Sequence, residues 1–153
     1  MITSKQTLLL LWLFFLCATS LAYPQGNPND LVARGQYIFA VSGGCACHSE
    51  RKGVYHAGAR PFQIPIGTVY STNLTSDPET GLGKWTLQNF RDTLRTGRRM
   101  GRGREILPPM PIPMYKNLTD DDIESIFTYL QSIPAVKNHV PEPLPPPEAP
   151  AAK

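Results

Sequence analysis

Cysteine is scarce in this sequence: Cys17, Cys45 and Cys47 are the three cysteines among 153 residues. Small exported domains with little core usually depend on several disulfides, so this count excludes a disulfide framework. The apolar run 8–16 falls short of the roughly 20 residues that span a bilayer. A formal net charge of +3 is mild and gives no reason to expect nucleic acid as a partner. No nucleophile paired with a base is visible, so we expect no enzymatic turnover.

The first 22 residues have the features of an export signal. Lys5 provides a basic start, the apolar run 8–16 follows, and Ser20-Leu21-Ala22 is a cleavage site of small residues. We therefore predict a signal peptide over 1–22 and a periplasmic location for the mature chain. The alternative is an uncleaved leader, and only in that case would the protein associate with a membrane.

Composition divides the rest of the chain into three parts. Residues 23–29 are a loop-like linker, residues 30–134 form one domain, and the Pro-rich stretch 135–153 is predicted to be a disordered or polyproline tail. Three helices are predicted in the domain, each after a capping residue: 31–41 after Asp30, 87–96 after Thr86 and before Gly97, and 120–132 after Thr119. The stretch 51–70 shows no helical period, and we expect an extended loop that wraps a ligand.

The run Cys45-Ala46-Cys47-His48 is close to the C-x-x-C-H signature of covalent haem attachment. In that signature two thiols add to the haem vinyl groups, and the adjacent histidine ligates the iron. One spacer residue is missing here, and residues two apart on a regular helix point roughly 200° away from each other. We expect attachment through Cys47 and Cys45, with His48 as the iron ligand. Attachment through Cys47 alone is the alternative, with Gly44 where a first cysteine normally lies.

Two other interpretations of the cysteine–histidine run stay open. The run could be half of a zinc site, although structural zinc usually takes four protein ligands. The remaining candidates for such a site are His56 and His139, because Cys17 lies in the leader. The run could also be a pair of structural thiols beside an incidental histidine.

A methionine held between prolines is the candidate for a second iron ligand. The prolines of the stretch 107–115 are expected to exclude a helix and to hold the chain extended. A thioether held in such a stretch is available to a ligand such as the haem iron. Met/His ligation of a haem raises its reduction potential. Met110 is the best candidate, Met114 the next and Met100 the last.

A basic segment precedes this methionine, with arginines separated by glycines: Arg95, Arg98, Arg99, Arg102 and Arg104. Such a segment is either a solvated loop or a binding patch. A patch would take an acidic partner protein or a haem propionate.

The chain resembles a class I cytochrome c domain, in particular one unit of the multi-haem cytochrome subunit of membrane-bound alcohol and aldehyde dehydrogenases. The likeness covers about residues 30–134 and is carried most specifically by Tyr70-Ser71-Thr72-Asn73, Asp77-Pro78-Glu79-Thr80-Gly81 and Pro109-Met110-Pro111. The resemblance implies an all-α, class I cytochrome c fold, with three or more helices and long loops around one haem. It also implies His48 and Met110 as axial ligands, and a crossing of the last helix, at Ile126 and Tyr129, over Gly35 and Phe39.

These features together predict a single-haem c-type cytochrome that carries electrons in the periplasm. The expected cofactor is one covalently attached haem c, and the expected partners are a dehydrogenase, a terminal oxidase or both. Two alternatives belong to other classes: a haem protein that responds to a gas or to peroxide, and an interaction module without haem. The single motif and its shortened spacing are the two departures from the dehydrogenase subunits.

Overall fold

A computed structural model describes residues 28–50 and 53–145, with the backbone only at positions 28, 29 and 45. The predicted signal peptide and the linker up to residue 27 lie outside this part. The described chain contains these elements in order: α1 Pro28–Val41, α2 Gly44–Cys47, β1 Pro61–Ile64, β2 Gly67–Tyr70, α3 Leu87–Thr96, a 3₁₀ turn Arg99–Gly101, α4 Ile112–Tyr115 and α5 Asp120–Ser132. No helix within these residues is long and apolar enough to cross a membrane.

The core lies where α1, α3 and α5 meet. It consists of large apolar side chains from these helices and from the turn before α3: Phe39, Leu82, Phe90, Leu94, Ile123, Ile126 and Leu130. Helix α5 crosses α1 at Gly35, where a Cβ atom would lie 1.9 Å from the carbonyl oxygen of Ser125. The ring of Phe39 packs near that of Tyr129, with centroids 5.9 Å apart. The predicted crossing of the two helices is confirmed.

Two of the helix starts lie where the capping residues predict them. The hydroxyl of Thr86 accepts a hydrogen bond from Asn89 N, and Gly97 ends α3 with a φ of 72°. The hydroxyl of Thr119 accepts from Asp122 N at the start of α5. In both cases the side chain of the third helical residue accepts in return from the cap N–H, so two unpaired backbone donors are satisfied. Helices α3 and α5 therefore match the predicted bounds.

The fold is mostly helical and not purely α, because the stretch 51–70 contains a hairpin. Strands β1 and β2 pair antiparallel, from Pro61 opposite Tyr70 to Ile64 opposite Gly67. The two-residue connection at positions 65 and 66 allows the hairpin, and β-branched residues such as Thr68 and Val69 favour the strand. The expectation of an all-α domain is corrected, because the described residues include this two-stranded hairpin.

Two helix predictions are also corrected. Asp30 lies in the first turn of α1 rather than before it, since the described helix already includes Pro28. Proline is favoured in the first turn of a helix, and a carboxylate is stabilised there as it is at the cap. The proline-rich stretch also forms a helical turn, α4, which tolerates Pro113 because the N–H that proline lacks would be unpaired in a first turn.

The described part of the C-terminal stretch is held against the domain. Leu144 forms a two-way backbone bridge with Thr68, with both N–O distances 2.9 Å. The side chain of Asn138 donates to the carbonyl of Ala57 at 2.7 Å. A disordered tail is expected from residue 135, whereas these residues contact the domain. The edge of β2 offers free N–H and C=O groups, which explains the bridge to Leu144. Residues 146–153 lie outside the described part.

Candidate haem site

His48 lies at the C-terminal end of the single helical turn α2. Gly43 precedes the turn with a φ of 79°, a left-handed conformation that glycine adopts without a steric penalty. The N–H of Cys47 donates to the carbonyl of Gly43 at 3.1 Å, and that of His48 donates to Gly44 at 3.0 Å. The turn therefore fixes Cys47 and His48 relative to each other, next to the end of α1.

The ring of His48 is buried, with 8% of its surface exposed, and its tautomer follows from its partner. Nδ1 lies 2.9 Å from the carbonyl oxygen of Thr72. A carbonyl can only accept, so Nδ1 carries the proton and Nε2 has the lone pair. Histidines that bind metals show this arrangement, in which the second ring nitrogen donates to a carbonyl that fixes the orientation of the ring. The geometry fits His48 as an iron ligand through Nε2.

Burial also keeps His48 neutral. Removal from water lowers the pKa of His48, the hydrogen bond to Thr72 opposes this change, and the nearby His56 adds to it. A neutral imidazole is the form that coordinates metals. The site therefore presents a ligand that needs no deprotonation at neutral pH.

The loop between α2 and β1 is tied to the segment that holds the ring of His48. The N–H of Gly58 donates to the carbonyl of His48 at 2.9 Å, and the N–H of Leu74 donates to the carbonyl of His56 at 2.8 Å. Leu74 lies two residues after Thr72, so one short segment contacts both the histidine ring and the returning loop. These hydrogen bonds hold the Thr72 carbonyl and the ring of His48 in a fixed relation to each other.

Buried polar side chains shape the segment after Thr72 and explain the two sequence runs that are most specific to the resemblance. The Oδ1 atom of Asn73 accepts from Thr75 N at 3.0 Å, and its Nδ2 donates to Thr80 Oγ1 at 2.9 Å. Asp77 accepts from the N–H of Thr80 at 2.6 Å, and hydrogen bonds from Thr80 lower the pKa of Asp77. These runs build the turns that position Thr72.

A side chain at position 44, where the first cysteine of an ordinary C-x-x-C-H motif would lie, would clash with the ring of Phe39. A Cβ atom on Gly44 would lie 2.3 Å from Cε2 of Phe39. Cys47 is half-buried and unpaired, and it directly precedes His48 as the motif requires. The structure describes only the backbone of Cys45, in the first turn of α2, so its predicted attachment stays a prediction.

The three candidate methionines differ in burial. Met110 is half-buried and packs against the core cluster, whereas Met114 is 70% exposed and Met100 is 36% exposed. Tyr115, which ends α4, donates from its hydroxyl to the carbonyl of Ser42 at 3.1 Å. Burial raises the pKa of Tyr115, and proximity to Cys47 raises it further. The methionine-bearing segment therefore lies beside the turn that holds Cys47 and His48.

The donor side chains that the structure describes fit a haem site. Within the described side chains no group of three or more His, Cys, Asp or Glu could hold a metal ion. His56 contacts Tyr129 through Nε2 at 3.1 Å, and His139 is exposed at the C-terminal stretch. An imidazole directly after one thiol, together with a half-buried thioether elsewhere in the chain, is the donor chemistry of a Met/His haem site.

The sequence did not indicate the part that two residues, Thr72 and His56, play in this site. The Thr72 carbonyl is a backbone group and carries no residue signal of its own, although Thr72 lies within a run that supports the resemblance. His56 is buried at 6% exposure, and its ring lies 5.3 Å from that of Phe39. A lone histidine in an irregular loop gives no periodicity that would place it in the core.

Comparison with known proteins supports the resemblance. No protein-family model matches the chain. Over 108 residues the chain is 41% identical to the cytochrome c subunit of alcohol dehydrogenase (quinone) from Gluconobacter oxydans, a match that covers 71% of this chain and 22% of the relative. It is 39% identical over 125 residues to the gluconate 2-dehydrogenase cytochrome c subunit of Pantoea cypripedii, covering 81% of this chain and 28% of the relative.

A third relative, the fructose dehydrogenase cytochrome subunit of Gluconobacter japonicus, is 34% identical over 110 residues, with 71% of this chain and 22% of the relative covered. The chain thus spans about a quarter of the length of the curated relatives it matches. The resemblance is confirmed at this level: most of the chain is similar to cytochrome c subunits of dehydrogenases, which is consistent with a cytochrome c domain that resembles one unit of them.

Proposed function

We propose that this chain is a single-haem c-type cytochrome with a class I cytochrome c fold, which carries electrons between a dehydrogenase and a downstream acceptor. The observation that carries the proposal is that Nδ1 of His48, the residue directly after Cys47, lies 2.9 Å from the Thr72 carbonyl oxygen, which leaves Nε2 to bind a metal. Relatives whose names state that they are cytochrome subunits of dehydrogenases support the choice of a dehydrogenase as donor. A terminal oxidase is the proposed acceptor.

Each residue of the site has a defined task in this proposal. The thiol of Cys47 would hold the haem covalently, with Cys45 as the second attachment point, and Nε2 of His48 would bind the iron. The sulfur of Met110 would be the second iron ligand, and the core cluster with Phe39 would exclude water. The haem supplies one-electron exchange, while the protein sets its potential through the ligands and the dry surroundings. The chain is therefore a carrier and not the catalytic subunit.

The location follows from the covalent attachment. Haem is attached to thiols outside the cytoplasm, and residues 1–22 have the pattern of an export signal. We therefore place the mature chain in the periplasm. One attachment motif in the sequence gives one haem for this chain.

Purification after export in a host with a haem-attachment system tests the proposal. We expect a coloured protein that keeps its haem on a denaturing gel, and a ferrous spectrum with the sharp bands of a six-coordinate haem c. Carbon monoxide should bind the ferrous form slowly, since Met110 occupies the sixth position; fast, tight binding would favour the gas-responsive alternative. A colourless protein after correct maturation would refute the proposal and favour an interaction module without haem.

A further inference from the structure

The loop between α3 and the Met110 segment carries a dense positive charge. Four arginines, Arg98, Arg99, Arg102 and Arg104, lie within seven positions and all are exposed; residues 98–104 are called the arginine loop below. The ion pairs of the described residues involve Arg34, Arg91, Arg95 and Lys137. In the part of the chain that the structure describes, no carboxylate therefore pairs with the arginine loop, and its charge is available to a partner.

The backbone of the arginine loop is fixed by hydrogen bonds. The N–H of Arg99 donates to the carbonyl of Arg104 at 3.0 Å, and Ile106 donates to Gly97 at 2.9 Å. Inside the loop, Met100 N donates to the hydroxyl of Thr93 at 2.9 Å. A surface that is already ordered loses less conformational entropy when it binds. The ordered arginine loop therefore loses less conformational entropy in an electrostatic contact than a flexible loop would lose.

One of the four arginines is turned toward the domain, and the others face solvent. The guanidinium of Arg99 lies 5.4 Å from the ring centroid of Trp85, and Trp85 packs against the core cluster. Arg98 makes only a local contact, to the carbonyl of Gly103 at 3.1 Å. Arg99 is therefore directed at Trp85, whereas Arg98, Arg102 and Arg104 stay exposed.

We infer that Arg98, Arg102 and Arg104 form a docking surface for an acidic patch on a redox partner protein. The inference rests on the proposed function for the choice of a redox protein, and on the charge and order of the loop for the surface itself. The loop continues directly into the Met110 segment, with Ile106 bonded to Gly97 and Met110 N bonded to the carbonyl of Leu107 at 3.4 Å. A partner bound to this surface would lie next to the Met110 segment. That position would shorten the distance over which an electron passes between the proposed haem and the partner.

The test uses the full mature protein and two probes. A labelled oligoglutamate peptide represents the acidic partner surface, and vesicles of phosphatidylcholine and phosphatidylglycerol represent a membrane. Binding is measured at low and at physiological salt for the wild type, for Arg102→Gln/Arg104→Gln and for the control Lys116→Gln/Lys137→Gln, which has the same net charge. We expect the loop variant to bind the peptide about tenfold more weakly at low salt, and the control to bind as the wild type does.

The same variants are then compared in electron exchange with hexacyanoferrate, an anion, and hexaammineruthenium, a cation. We expect the loop variant to lose rate with the anion only, and the loss to shrink at high salt. Equal losses in the loop variant and the control would overturn the docking surface, because net charge alone would then explain binding. Vesicle binding stronger than peptide binding would overturn it in favour of a membrane contact. Absence of covalent haem would refute the proposed function without affecting the peptide result.

Discussion

The hydroxyl of Tyr115 donates a hydrogen bond to the carbonyl of Ser42 at 3.1 Å, and this bond joins two segments far apart in the sequence. Ser42 lies between α1 and the turn that carries Cys47 and His48. Tyr115 ends the short helix that follows Met110. The bond therefore connects the two segments from which the proposed iron ligands come. It limits the movement of these segments away from each other.

Loss of this connection has a measurable consequence. We expect Tyr115→Phe to lower the free energy of unfolding by about 1 kcal/mol, because the Ser42 carbonyl loses its donor while the ring remains. Carbon monoxide should bind the ferrous variant faster than the wild type, since the Met110 segment is less restrained. Equilibrium denaturation and flash photolysis measure the two effects. Tyr37→Phe, on an exposed ring of α1, is the control, and equal effects in both variants would contradict the role of the bond.

The crossing of α1 and α5 predicts that Gly35 accepts no larger residue. In Gly35→Ala the new methyl group would lie 1.9 Å from the Ser125 carbonyl oxygen, and a helix backbone cannot give way as a flexible side chain can. We expect a loss of about 1–3 kcal/mol in the free energy of unfolding. Ala40→Ser, at an exposed position of the same helix, should stay within about 0.5 kcal/mol of the wild type. Urea titration of both variants decides, and an unaffected Gly35→Ala would mean that the helices do not cross there.

Local chemistry made some parts of this fold predictable. The bounds of α3 and α5 follow from Thr86 and Thr119, because each cap acts within one turn of its own helix. The helix crossing could be inferred from the resemblance, which named Gly35 and Phe39. The hairpin of β1 and β2 could not be inferred, because two short strands form by pairing with each other and show no local period in the sequence.

Within the candidate site, the sequence identified the side chains that carry recognisable chemistry, such as His48 and Met110. The sequence did not identify the groups that position these side chains. The acceptor on Thr72 is a carbonyl that every residue has, and the exclusion at Gly44 depends on where the Phe39 ring packs. Tertiary contacts of this kind leave no spacing pattern in the chain.

The two cysteines should differ in their importance for haem attachment. We expect Cys47→Ala to lose covalent haem, because Cys47 holds the position next to His48 that the motif requires. Cys45→Ala should lose it only if both bonds are needed. Mass spectrometry of the haem-bearing peptide, with the pyridine haemochrome spectrum to count unreacted vinyl groups, measures the outcome. Haem retained in Cys47→Ala and lost in Cys45→Ala would reverse the assignment.

A related variant tests why the motif is short. Gly44→Cys restores the three-residue spacing to Cys47, but its Cβ would lie 2.3 Å from the ring of Phe39. We expect about 1–3 kcal/mol of destabilisation and no gain in thioether bonds. Adding Phe39→Leu should recover part of the stability lost, because it makes room for the new side chain. A stable Gly44→Cys protein with two thioethers would show that the turn can rearrange.

His56 should make the stability depend on pH. Burial lowers the pKa of His56, so the native ring stays neutral at pH values where an unfolded histidine, with a pKa near 6.5, takes up a proton. The unfolded chain then binds more protons than the native chain, and stability falls as the pH drops below about 6.5. Denaturation between pH 7 and 5 should show a smaller loss for His56→Phe than for the wild type. Equal slopes in His56→Phe and in the wild type would contradict the prediction.

The identity of the second iron ligand decides between a closed electron carrier and a haem that is open to small molecules. Met110 packs against the core cluster, whereas Met114 is 70% exposed, so Met110 is the better shielded from water of the two. We expect Met110→Ala to open the iron to carbon monoxide and to lower the reduction potential, because thioether ligation favours the ferrous state. Met114→Ala should leave both the ligand binding and the potential of the wild type unchanged. Spectroelectrochemistry with added ligand measures both quantities, and a spectrum that changes in Met114→Ala instead would transfer the ligand role to that residue.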